Sequence, residues 1–72
     1  MSTVIRRYAV SGMHCGSCAM SIDWELEDLD GVVEARTSYA SGVTTVTLDP
    51  ERTTDDVVLA AIAKAGFVAT PA

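Results

Sequence analysis

The chain has no apolar run approaching the ~20 residues that a membrane-spanning helix needs. Its first residues, Met1-Ser2-Thr3-Val4-Ile5-Arg6-Arg7, lack the basic-then-apolar order of a secretory signal. Together these absences predict a soluble cytoplasmic module with no direct membrane insertion. Basic residues are scarce: five Lys and Arg stand against ten Asp and Glu, for a formal net charge of −5. Nucleic acid and anionic membrane surfaces both call for clustered Lys and Arg, so neither is an expected partner, whereas a basic protein surface is. Only two cysteines are present, closely spaced. Where thiols are kept reduced, such a pair reads as metal ligands or redox thiols rather than as a structural disulfide. No linker, internal repeat or low-complexity stretch interrupts the 72 residues, which read as one domain, 1–72. A domain of this size buries roughly 60% of the surface its unfolded chain exposes, so its core is thin. The 49% apolar composition is nevertheless that of a folded chain rather than a disordered one.

What is present is a clear order of elements. Thr3 to Val10 is rich in β-branched and aromatic residues, with Tyr8 and Val10 two apart on one face, and Ser11-Gly12 interrupts it. From Ser17 to Leu29, Ala19, Ile22, Leu26 and Leu29 recur at helical spacing, and Gly31 follows as a stop. Val32 to Tyr39 and Val43 to Leu48 form a predicted hairpin through Ala40-Ser41-Gly42, with Thr44, Val46 and Leu48 alternating against Val43, Thr45 and Thr47. Asp49-Pro50 ends the second strand of that hairpin. Thr53-Thr54-Asp55-Asp56 has the pattern of a capping box, with Thr53 as N-cap and Asp56 at N3, opening a helix to Ala65 that Gly66 ends. Phe67 to Thr70 is a last short strand. The order β-α-β-β-α-β predicts an α+β, ferredoxin-like fold: a four-stranded antiparallel sheet with two helices on one face. That fold hosts many functions, so function must be argued from the site.

The chemistry lies in Gly12-Met13-His14-Cys15-Gly16-Ser17-Cys18, where the first strand hands over to the first helix. Cysteines three apart at a helix start can turn both sulfurs toward one point. The exposed N–H groups and positive dipole end of a helix favour thiolate, the metal-binding form. Soft thiolates select soft ions such as Cu(I), which accepts low coordination numbers. A structural zinc site normally needs four ligands, and the chain offers two cysteines and one adjacent histidine.

With Gly12, Met13, Cys15, Cys18, Ile22, Leu26, Leu29, Gly31 and Val32 in place, and later Val58, Ile62, Ala65, Gly66 and Phe67, the sequence resembles the heavy-metal-associated domain family. That family comprises copper chaperones and the N-terminal modules of copper- and zinc-transporting P-type ATPases. The resemblance covers nearly the whole chain. It implies that Cys15 and Cys18 are the metal ligands and that Met13 is a buried prop under the loop. It also implies a non-enzymatic carrier of one Cu(I) ion, with Zn(II), Cd(II) or Hg(II) as alternatives. The implied partner is a metal-transporting P-type ATPase or another metal donor or acceptor protein with a basic docking face, and the chain is expected to be monomeric without metal. Phe67 matches a position beside the metal loop that resembles Tyr in many bacterial chaperones and Lys in eukaryotic ones. Phe brings neither a hydrogen bond nor a charge, which looks more like an ATPase module, and chaperone versus ATPase module stays open.

The same residues admit other readings. A thioredoxin-like redox site also has Cys-x-x-Cys at a helix start, but Gly16-Ser17 lacks the usual Pro and no Trp precedes Cys15. His14 is a tempting third ligand, yet adjacent residues in an extended loop point to opposite sides. The Met-His-Cys-x-Ser-Cys loop resembles copper-ATPase modules, whereas zinc and cadmium modules often carry Asp at the histidine's position. Ser17 reads as a first-turn helix residue, Met20 as surface packing against Trp24 one turn on, and Lys64 as a partner of its helix dipole. Asp23, Glu25, Glu27 and Asp28 occur with no Lys or Arg between Ser17 and Leu29, and they predict an acidic docking face with Trp24 near its centre.

Overall fold

The computed structural model describes residues 2–14 and 16–72. Strand β1 (Val4–Ser11) leads into helix α1 (Gly16–Glu27); β2 (Val32–Ser38) and β3 (Val43–Leu48) form the hairpin; α2 (Asp55–Lys64) precedes β4 (Val68–Pro71). The strands lie in the order β2-β3-β1-β4, with every neighbouring pair antiparallel. This is the predicted ferredoxin-like arrangement, and each element falls within two residues of its expected bounds.

The alternation of side chains along the strands fixes one apolar face. Tyr8 and Val10 of β1, Ala35 of β2, and Thr44, Val46 and Leu48 of β3 are all buried. All but Thr44 meet Ile22 and Leu26 of α1 and Val58, Ala61 and Ile62 of α2 in one cluster. A bulge between Val32 and Glu34 puts Val33 out of register and leaves it exposed, a feature that the β2 sequence does not announce.

Helix α1 closes earlier than its apolar stripe suggests. The Leu29 N–H turns back to the Leu26 carbonyl at 3.0 Å, so the last turn tightens and Leu29 packs against the core from outside the helix. Gly31 follows with φ of +92°, and a β-carbon there would lie 2.7 Å from Cβ of Arg52. Glycine is required for both its conformation and its smallness.

The capping of α2 differs from the expected box. Its N-cap is Thr54, in extended conformation, and makes no side-chain cap hydrogen bond. Both the Arg52 and Thr53 N–H groups donate to the Asp49 carbonyl, at 3.0 and 3.1 Å, and this turn carries Thr53 inward, where it is buried ahead of the helix. Among the described residues the Thr53 hydroxyl meets no hydrogen-bond partner. The N-terminal dipole of α2 is met by the charges of Asp55 and Asp56 in its first turn.

Candidate metal centre

The loop between β1 and α1 is shaped from three sides. At the end of β1 the Val10 N–H donates to the Gly42 carbonyl of the β2–β3 turn at 2.8 Å. Gly12 then turns the chain with φ of +95°, and a β-carbon there would lie 3.7 Å from Cδ1 of Phe67. Phe67 therefore flanks the loop, as the sequence motif implies, and is itself partly packed on the core. Met13 is half-buried against the same core, a prop beneath the loop, though not as fully enclosed as the resemblance suggests.

His14 is exposed, and its carbonyl accepts a 3.0 Å hydrogen bond from the hydroxyl of Tyr39, just past the end of β2. Cys15, the first expected ligand, lies outside the described residues. Cys18, the second, is half-buried in the first turn of α1. That turn carries no acidic residue, so the positive end of the helix dipole is left for the loop. Ser17 is exposed, with its carbonyl accepting from the Ser21 hydroxyl at 3.2 Å.

The acidic residues of α1 do not share one face. Asp23 is half-buried against β2, accepting a 2.7 Å hydrogen bond from Thr37. Burial pushes its carboxyl above the ordinary carboxylate range and Glu27 adds to this, against the opposing Thr37 bond. Glu25 is half-buried and, with Asp28, Leu29, Val57, Ala60 and Lys64, lines a groove of about 500 Å³ against α2. Glu27 and Asp28 are exposed, as are Trp24 at 63% and Met20 at 52%. Of the four expected acids, Asp23 is thus drawn against β2, Glu25 and Asp28 line the groove against α2, and Glu27 is exposed, so the four do not form one face. The helical period separates these positions by angle, and the pull of Thr37 on Asp23 comes from another element. Tyr39 is the residue that sequence reasoning missed, since an aromatic beside a hairpin turn gives no sign that its partner is a carbonyl 25 positions earlier.

The profile of the heavy-metal-associated domain family matches residues 7–67. The chain belongs to this family. It is 41% identical over 58 residues to a zinc-transporting ATPase of Synechocystis, 42% over 60 residues to a mercuric reductase of Serratia marcescens, and 37% over 62 residues to copper-transporting ATPase 2 of Homo sapiens. These matches take in 81%, 83% and 86% of the chain but only 8%, 13% and 4% of the relatives, so the chain is similar to a small part of each. Among solved structures, the N-terminal domain of a potential copper-translocating P-type ATPase from Bacillus subtilis superposes with a TM-score of 0.93 at 26% identity, covering 97% of this chain and 88% of that one. The CopZ metallochaperone superposes with a TM-score of 0.85 at 28% identity, covering 96% of this chain and all of the other.

Proposed function

We propose that residues 1–72 act as one domain that holds a single Cu(I) ion between Cys15 and Cys18 and passes it to a partner protein. The observation that carries this reading is the placement of Cys18, half-buried in a first helix turn without acidic residues, on a loop where Met13 packs on the core and Phe67 flanks Gly12. A bis-thiolate complex of a monovalent ion carries a net negative charge, which the positive end of the helix dipole stabilises. Release proceeds by exchange: a partner's thiolate joins the ion, a three-sulfur intermediate forms, and Cys15 or Cys18 lets go. No electron moves and no substrate is chemically altered, so the domain is a carrier and not an enzyme. Its partner is a metal-transporting ATPase or another metal donor or acceptor with a basic face, and its place of work is the cytoplasm. No helix among the described residues is long and apolar enough to cross a membrane.

A second reading, a Zn(II), Cd(II) or Hg(II) module on the same two thiols, draws support from the zinc-transporting ATPase and mercuric reductase among the relatives. Competition titration of the reduced protein with Cu(I), Zn(II) and Hg(II) against chelators of known affinity separates the two. Cu(I) preference with one ion per chain is expected, abolished by Cys15→Ser or Cys18→Ser and little changed by His14→Ala. A preference for Zn(II) or Hg(II) after correction for the chelators overturns the copper reading.

A further inference from the structure

Tyr39 reaches the candidate metal loop at His14 from 25 positions away in the sequence. Its ring is 48% exposed, so core packing does not account for its position. Its hydroxyl donates to the His14 carbonyl at 3.0 Å. The base from which it reaches is fixed: within the β2–β3 turn the Gly42 N–H donates to the Ser38 carbonyl at 2.9 Å and the Ser41 N–H to the Ser38 hydroxyl at 3.3 Å. The same turn is tied to β1, just ahead of the loop, through the Gly42 carbonyl and the Val10 N–H. The hydrogen bond therefore restrains the loop at the His14 carbonyl from an element outside the loop.

We propose that Tyr39 is a positioning residue of the metal loop that sets how fast the loop rearranges, and hence how fast metal leaves. This inference rests on the metal-carrier reading. Thiolate exchange needs the loop to move as a third sulfur enters and one cysteine departs. A hydrogen bond made with and without metal cancels from the affinity, but one that breaks on the way to exchange raises the barrier. For a single neutral hydrogen bond at a partly exposed site, that effect is roughly two- to tenfold in rate.

The test is Tyr39→Phe, which removes the hydroxyl and keeps the ring, read in three ways. Thermal melting of the reduced, metal-free protein checks the fold and is expected to match the native chain. Iodoacetamide alkylation of that metal-free protein reads access to the thiols and is expected to speed up roughly two- to tenfold. Stopped-flow release of Cu(I) to a chelator is expected to accelerate by a similar factor, while the equilibrium competition constant stays unchanged. Unaltered alkylation and release rates in a folded variant overturn the proposal, as does an affinity loss that accounts for all of the faster release. Faster alkylation in a pair of proteins that both fail to hold Cu(I) overturns the carrier reading and the exchange role together, leaving only a loop restraint.

Discussion

Thr37 on β2 donates a 2.7 Å hydrogen bond to Asp23 on α1 and sits 2.9 Å from the hydroxyl of Thr44 on β3. Because Thr37 has one hydroxyl hydrogen and spends it on Asp23, the Thr44 hydroxyl donates to Thr37. A polar chain thus runs from the helix into the sheet, and it draws Asp23 against β2 and away from solvent.

Asp23 is expected to act against stability when ionised. Burial raises its carboxyl above 3.8, with Glu27 adding to the rise. A folded-state value above the unfolded one contributes stability that is present below the unfolded value and lost as pH rises through the folded one. Asp23→Asn keeps an acceptor for Thr37 without the charge. At pH 7 it should melt at or above the native temperature, with the advantage fading toward pH 3. A variant that gains relative stability on acidification instead would show that the fold favours the charged carboxylate.

The buried Tyr8 hydroxyl donates to Asp55 Oδ1 at 2.7 Å, joining β1 to the start of α2. Burial first, and then the Asp55 acceptor and its charge, push the phenol well above its ordinary value of 10.0, against a smaller opposing effect of Arg6. The unfolded chain therefore loses this proton first as pH rises. Stability from this group is complete below pH 10 and falls by about 1.4 kcal/mol per pH unit above it. Tyr8→Phe should cost about 1–3 kcal/mol at pH 7, where a bond to a charged partner is lost, and should remove this alkaline slope. Urea unfolding of both proteins at pH 7, 10 and 11 checks it: the gap between them must narrow as pH rises.

Gly31→Ala is expected to destabilise the metal-free protein by at least ~2 kcal/mol, since alanine is strained at positive φ and its β-carbon collides with Arg52. Gly16→Ala is the contrast. No heavy atom lies within 4 Å of a β-carbon built there, and Gly16 opens a helix. Its melting temperature should hold or rise slightly, as for glycine replacement at a compatible site. Equal losses at the two positions would mean that Gly31 is not selected by its backbone.

These cases show what the sequence could reveal. Periodicity located all six elements, because the burial of Thr44, Val46 and Leu48, or of Ala19, Ile22 and Leu26, is set by the geometry of a single strand or helix. The Cys-x-x-Cys loop was legible for the same reason: strand, loop and helix start are contiguous. Thr53 is carried inward by a local turn on Asp49, four residues earlier, whereas the bulge at Val33 and the reach of Tyr39 depend on partners distant in the chain, namely β3 and His14. No local pattern encodes them. The distribution of the α1 acids lies between these extremes, since the helical period separates their angles but the neighbour on each side comes from the tertiary fold.

The outward stripe of α1 bears on partner choice. Met20 and Trp24 lie exposed one turn apart, and the exposed Glu27 and Asp28 follow toward the helix end, with Asp28 also at the edge of the groove against α2. The Asp28 N–H still donates to the Trp24 carbonyl at 3.2 Å, so both acids sit at the helix C-terminus, where the dipole disfavours negative charge. The last turn holds no basic residue to offset them. An apolar pair leading from the loop to an uncompensated acidic end fits a basic partner surface whose rim pairs with Glu27 and Asp28 while Trp24 is covered. Charge complementarity of this kind acts chiefly on encounter rates. Metal transfer to the natural partner should therefore slow as salt rises, since screening shortens from about 10 Å at 0.1 M ionic strength to about 3 Å at 1 M. Changing both Glu27 and Asp28 to Lys should slow transfer and flatten its salt dependence. The same double change should leave Cu(I) affinity intact and raise the melting temperature slightly, because positive charge suits a helix C-terminus. The two readouts move in opposite directions, so general damage to the fold cannot imitate the result. Transfer rates that ignore both salt and the charge reversal would place the docking surface elsewhere on the molecule.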